Sequence, residues 1–230
     1  MKNLILISLI ASAVFSLNSC SKPSSGPSTN AGVMFVHGCA SGTGALDVLA
    51  TSNGATVSGA SNIAFLQNSG YQNLAAGANL NLAFKVTGLN STLSNGTETL
   101  IAGNHYSAFA GGIITNPSFV FSTDDLSPPT SGNAKIRFVN LSPDTLNLNC
   151  YFATLKIDSG VAMNTCSGFV QIPANSGTLF IQDITNNGYQ AQISNQTLSA
   201  GKIYTALFTG THSATGGSPS VFTITLITNQ

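Results

Sequence analysis

Apolar side chains recur at every second residue along this chain, and nowhere after residue 20 do they fall at helical spacing. Leu80, Leu82, Phe84 and Val86 alternate with Asn79, Asn81, Ala83 and Lys85. Leu146, Leu148, Cys150 and Phe152 repeat the pattern, as do Phe222, Ile224 and Leu226. Successive side chains of a strand point to opposite faces, so period-two alternation marks strands with one face in a core. Asn187-Gly188, set between the runs Thr178–Thr185 and Tyr189–Ser194, predicts a tight hairpin turn, and Asn95-Gly96 its upstream counterpart. The expected fold class is all-β.

The chain also repeats itself. Ala31 to His37 (AGVMFVH) aligns with Ala134 to Asn140 (AKIRFVN), Gly70 to Leu74 with Gly168 to Ile172, and Leu100 to Tyr106 with Leu198 to Tyr204. Pro117-Ser118 and Pro219-Ser220 open the last strand of each copy. About seven short strands in roughly 100 residues is the size of an immunoglobulin-like β-sandwich. The expected organisation is therefore a signal over residues 1–19, a tether over 20–31, sandwiches over 32–123 and 134–230, and a linker over 124–133. Pro128-Pro129 stiffens that linker, and the two sandwiches are expected as beads on a string.

The beginning of the chain reads as an export signal. Lys2 precedes an apolar run from Leu4 to Leu17 that spans about 21 Å as a helix, short of the ~30 Å hydrocarbon core. It reads as a signal h-region rather than a membrane span. Leu17-Asn18-Ser19-Cys20 resembles the bacterial lipobox, although Asn18 departs from the usual small or aliphatic residue. That resemblance implies cleavage before Cys20 and acyl chains on its sulfur, and two or more chains hold a protein firmly to a bilayer. The segment after Cys20 (SKPSSGPSTN) has no apolar periodicity and reads as a flexible tether.

Composition narrows the partners. Charged residues make up 6 % of the chain while hydrophobic residues make up 43 %. The chain can bury a core, yet it offers no field for nucleic acid or an anionic surface. Uncharged polar surfaces suit hydrogen bonding to neutral partners or an extracytoplasmic setting.

The second copy resembles the bacterial domain-of-unknown-function family numbered 4397. It keeps the opening motif over Ala134 to Asp144 (AKIRFVNLSPD) and the closing motif over Leu198 to Phe208 (LSAGKIYTALF). The first copy departs where Cys39-Ala40-Ser41 replaces Ser-Pro-Asp, but keeps Leu46-Asp47-Val48. The resemblance implies a β-sandwich in an envelope lipoprotein, and no known activity, cofactor or substrate. Within the closing motif, Gly103 and Gly201 are expected to turn a corner at positive φ. Tyr106 and Tyr204, three residues on, are expected to bond a backbone group upstream. Ser142-Pro143-Asp144 reads as a turn, and Asp144-Thr145-Leu146 fits the short O-glycosylation pattern of some Bacteroidetes-type envelopes.

Candidate chemistry is sparse. Cys150 and Cys166 are close enough in sequence to be bridged, worth about 3 kcal/mol by loop closure; two buried thiols are the alternative. The first copy holds no second cysteine that could bridge to Cys39. No Cys-x-x-Cys pair suggests zinc. His37, His105 and His212 are scattered and unmatched between copies. Asp124-Asp125 is the only adjacent acidic pair, read as a solvated hinge. No nucleophile elbow or phosphate-binding glycine loop is present, so neither catalysis nor a cofactor is expected.

The expected function is a lipid-anchored envelope protein with a structural, adhesive or protein-interaction role, held to the outer membrane through Cys20. A glycan-binding accessory lipoprotein, using Tyr71, Tyr151 or Tyr189, is the first alternative, weakened by the absence of Trp. A cryptic hydrolase is the second.

Overall fold

The computed structural model describes residues 28–40, 42, 44–145, 147–184, 189–211 and 222–230. Residues 1–19, read as a signal, and Cys20 after them, Leu146, the Asn187-Gly188 turn, His212 and Pro219-Ser220 lie outside them.

Among the described residues every regular element is a strand. The first half holds β1 (Asn30–His37), β2 (Leu46–Ser52), β3 (Ala55–Ile63), β4 (Asn68–Ala75), β5 (Gly77–Val86), β6 (Thr92–Leu100), β7 (His105–Ile113) and β8 (Asn116–Asp124). The second holds β9 (Asn133–Asn140), β10 (Asn147–Phe152), β11 (Leu155–Ala162), β12 (Thr165–Cys166), β13 (Val170–Pro173), β14 (Ser176–Asp183), β15 (Tyr189–Thr197), β16 (Ile203–Thr209) and β17 (Thr223–Thr228). Each half thus exceeds the seven strands expected.

Both halves have the same topology. In the first, β4-β1-β7-β8 faces β3-β2-β5-β6; in the second, β12-β9-β16-β17, with β13 also on β9, faces β11-β10-β14-β15. The short β12 and β13 together stand where β4 stands in the first copy. The opening strand of each copy lies parallel to its closing-motif strand, β1 on β7 and β9 on β16, and the other pairings are antiparallel.

The alternating residues fill the two sandwich cores. Leu80, Leu82 and Phe84 join Val33, Phe35, Val48 and Tyr106 in the first. Leu148, Cys150 and Phe152 join Ile136, Phe138, Ile181 and Phe208 in the second.

One turn assignment changes. Asn95-Gly96 is no hairpin: both residues lie inside β6, opposite Ala83 and Leu82. Glycine is needed there because a Cβ on Gly96 would come within 2.1 Å of the Phe119 ring. The tight hairpin of this half is Asn53-Gly54, between β2 and β3, where both residues have positive φ (49° and 79°) as such a turn requires.

The two sandwiches are not separate beads. β1, β7, β9 and β16 are buried almost from end to end, on both faces. A third apolar cluster fills the space between the sheets they belong to. It contains Met34, Val36, Phe109 and Val120 from the first half, and Val139, Leu141, Leu207 and Ile227 from the second. The order of layers is therefore outer sheet, inner sheet, inner sheet, outer sheet. Each of these eight side chains contributes about 1.5–3 kcal/mol by leaving water. Glycines let the layers close: a Cβ on Gly38 would lie 2.5 Å from Leu141 Cδ1, and one on Gly111 3.0 Å from Leu141 Cβ. Backbone and side chain tie the same corner, Gly112 N–H donating to Leu141 O (3.0 Å) and Thr209 Oγ1 to Gly38 O (2.5 Å).

Candidate functional site

The densest polar constellation among the described residues lies between the two inner sheets. Arg137 on β9 follows Ile136 and precedes Phe138, which face the second core; alternation sends its side chain the other way, toward the first sandwich. It is 0 % exposed. Its Nη1 pairs with Asp124 Oδ1 at 2.7 Å and donates to Ser122 Oγ at 3.2 Å; Nη2 donates to Ser107 Oγ at 2.9 Å and Nε to Thr205 Oγ1 at 3.0 Å. Phe169 and Phe109 cover the guanidinium, with centroids 4.4 and 5.7 Å away. Asp124, 6 % exposed, accepts at Oδ2 from Tyr71 OH (2.5 Å) and Ser107 Oγ (2.6 Å). Asn229 closes the ring, donating from Nδ2 to Tyr71 OH (3.1 Å) and accepting at Oδ1 from Thr205 Oγ1 (2.7 Å). Burial, then the Asp124 carboxylate, pushes the Tyr71 phenol above its ordinary range.

A charge taken out of water is tolerated only when paired and hydrogen-bonded, as here. These groups are turned toward each other, Arg137 and Asp124 shut off from solvent and Tyr71 half-buried beside them, so the constellation joins the two sandwiches. Asp124 is accordingly no solvated hinge: it ends β8 inside the interface. Asp125 does face water, yet Lys135 and Ser127 hydrogen bonds hold its carboxyl down to about 2. Thr130 adds two bonds to Gln171 Oε1 (2.7 and 3.0 Å). The linker lies along the second sandwich.

The two corners have matching geometry. Gly103 and Gly201 have φ of 81° and 80°, and their N–H groups donate to Asn30 O and Asn133 O at 2.8 Å. The Tyr106 phenol accepts from Ile101 N–H at 3.1 Å and the Tyr204 phenol from Ser199 N–H at 3.0 Å, each five residues upstream. Both rings belong to their sandwich cores.

Cys150 and Cys166 are free thiols and not a disulfide. Cys150, on the outer sheet, points into the second core, whereas Cys166, on the inner sheet, packs against the cluster between the sandwiches, so the inner sheet separates them. Cys39 is buried in the first core, which pushes its thiol up to about 12. His37 and Asn140, at matching strand ends, each pin the following loop. His37 Nε2 lies 2.9 Å from Gly44 O, and burial lowers its pKa. Asn140 accepts from Ser142 N–H and Thr145 Oγ1 at 3.1 and 3.2 Å. Thr145, 4 % exposed with its hydroxyl so engaged, is unsuited to be a glycosylation acceptor. His105 stacks edge-on against Tyr71. Among the described residues no three His, Cys, Asp or Glu side chains are grouped to hold a metal ion.

Of the tyrosines considered for glycan stacking, Tyr71 is taken up by the interface. Tyr151 stands on the outer sheet of the second sandwich, stacked on Phe180 with centroids 4.7 Å apart and planes 3° from parallel.

Residues 31–151 match the family described as "Domain of unknown function (DUF4397)". That span takes in the whole first sandwich and runs through the linker into β10. No curated protein matches the chain. Similar solved structures include a leucine-rich repeat protein from Bacteroides thetaiotaomicron VPI-5482, at 15 % identity and TM-score 0.24 over 77 % of this chain. This chain spans 26 % of that protein. A candidate cell adhesion protein from Bacteroides uniformis ATCC 8492 is similar at 10 % identity and TM-score 0.22, over 88 % of this chain and 100 % of the other. The fimbrial anchor protein Mfa2 from Porphyromonas gingivalis is similar at 8 % identity and TM-score 0.22, over 87 % and 97 %. Values this low leave the functional reading to the residues themselves.

Proposed function

Because the chain belongs to the DUF4397 family, we propose that it is a lipid-anchored envelope protein that displays a rigid pair of β-sandwiches for structural or adhesive contacts, without catalysis. One observation carries this reading: the side chains best suited to chemistry are spent on joining the sandwiches. Arg137, Asp124, Tyr71 and Ser107 form a shielded clamp, so the pair resembles a stiff spacer more than a site that takes in substrate.

The direction of the chain supports display. β1 begins at Asn30 on one end of the body. The Gly112–Leu141 and Thr209–Gly38 bonds bring the opposite ends of both sandwiches together. Exposed Phe65, Leu89, Ile114, Met163 and Ile184 lie on that far end, whereas Val57, Ile101 and Leu155 lie nearer the Asn30 end. Asn30 stands ten positions after Cys20, a reach of at most about 35 Å. A lipidated Cys20 would therefore hold one end near the bilayer and present the other outward.

Mass spectrometry of the protein from a lipoprotein-processing host tests the anchor. We expect an N-terminal peptide beginning at acylated Cys20, and release of a Cys20→Ser variant from the membrane fraction. An unacylated N-terminus, or a Cys20→Ser variant that stays with the membrane, contradicts the proposal.

A further inference from the structure

We propose that the outward face of the β11-β10-β14-β15 sheet is a binding surface for a neutral glycan, a function that goes beyond display. Leu148, Cys150, Phe152, Leu179 and Ile181 point into the second core. Alternation therefore leaves Asn149 and Tyr151 of β10, and Phe180 and Gln182 of β14, on the other side. Register sets them in two rows. Lys156, Tyr151, Phe180 and Gln192 face one another across all four strands, with Asn149 opposite Gln182 in the next row.

The Tyr151 and Phe180 rings stand upright, stacked on each other, with the Lys156 ammonium 6.0 Å from the Tyr151 centroid. They present a ridge of ring edges and one phenol, which accepts from Asn149 Nδ2 at 3.4 Å. Asn149 is 9 % exposed, and its Oδ1 is buried with no hydrogen-bond partner. Few buried acceptors are left in that state, and a hydroxyl entering beside the phenol would supply the missing donor.

The duplication offers an internal control. The β2–β3 and β10–β11 hairpins align through Asn53 and Ala153, both at positive φ (49° and 52°). On that alignment the first copy has Thr51 opposite Asn81 where the second has Tyr151 opposite Phe180. It has Leu49 opposite Ala83 in place of Asn149 opposite Gln182. The fold is built without an aromatic ridge in one copy, so the ridge in the other is an addition to it.

Amide side chains both donate and accept, as sugar hydroxyls do, and aromatic edges suit the apolar C–H groups between them. A single ammonium gives little purchase on a polyanion. Affinity electrophoresis of the full protein through gels containing starch, xyloglucan, galactomannan or polygalacturonate tests the assignment. Retardation by at least one of the three neutral polysaccharides is expected, with binding at least tenfold weaker in Tyr151→Ala and in the solvent-facing Gln192→Ala. Thr51→Ala, in the first copy, should bind as the parent does, and matching circular dichroism and melting of each variant should exclude misfolding. Retardation by none of the neutral polysaccharides, retardation by polygalacturonate alone, or undiminished binding by well-folded Tyr151→Ala and Gln192→Ala overturns the proposal. None of these results bears on the anchor, which Cys20→Ser tests separately.

Discussion

Arg137 Nη1 and Asp124 Oδ1 lie 2.7 Å apart with both side chains shut off from solvent, although they come from different sandwiches. The pair is framed by the repeat itself. Arg137 aligns with Met34, Thr205 with Ser107 and Phe169 with Tyr71, and all except Met34 bond or cover the charges. Duplication brought equivalent strands face to face, and the second copy's arginine made a polar clamp within an apolar interface.

Arg137→Met, which installs the first copy's residue, should therefore destabilise the protein by about 3–5 kcal/mol, because Asp124 is left buried without its counter-charge. Adding Asp124→Asn should recover much of the loss, since a neutral isostere removes the orphaned charge. Urea unfolding of the single and double variants measures both effects.

Acid should weaken the loop end near His37. Burial lowers its pKa, its largest cause, and the Gly44 carbonyl only partly opposes this. The folded chain resists a proton that the unfolded chain binds near pH 6.5. Stability is thus fully present above about 6.5 and falls as pH drops toward the lower folded value, by at most about 1.4 kcal/mol per unit. Urea midpoints between pH 7.5 and 5.5 should decline, and His37→Asn, which copies Asn140, should flatten that decline.

Much of this was legible in the sequence. Leu80, Leu82 and Phe84 declared their inward face by alternation, and the Gly-x-x-Tyr segments marked two corners. The fusion of the sandwiches was not read. Its signal lay in strands such as Val33–Val36 and Ala108–Ala110, where alternation gives way to an unbroken apolar or small run, the mark of burial on both faces. Asp124 resembled a hinge because it neighbours Asp125 and Pro128-Pro129. Its partner belongs to the other copy, and no local spacing encodes such a pairing. Thr145 matched a three-residue pattern, yet Asn140, five residues upstream, occupies its hydroxyl.

The matched corners predict matched penalties. Tyr106→Phe leaves Ile101 N–H without its acceptor, and Tyr204→Phe does the same to Ser199 N–H. Each should cost about 0.5–1.5 kcal/mol, the net contribution of a hydrogen bond that is only partly buried. Thermal and urea unfolding should rank the two substitutions close together.

Reductant should leave the melting temperature unchanged, because Cys150 and Cys166 are free thiols. A bridge between them would add about 3 kcal/mol, lost on reduction. Burial raises the Cys150 thiol, so thiol reagents at pH 8 should label it only after denaturation.

Differential scanning calorimetry of the purified protein asks most directly whether the two sandwiches form one body. A single transition is predicted, with calorimetric and van't Hoff enthalpies equal, and Arg137→Met should shift it downward as a whole. Two separable transitions in the parent protein, or a substitution at Arg137 that moves neither, would contradict the account.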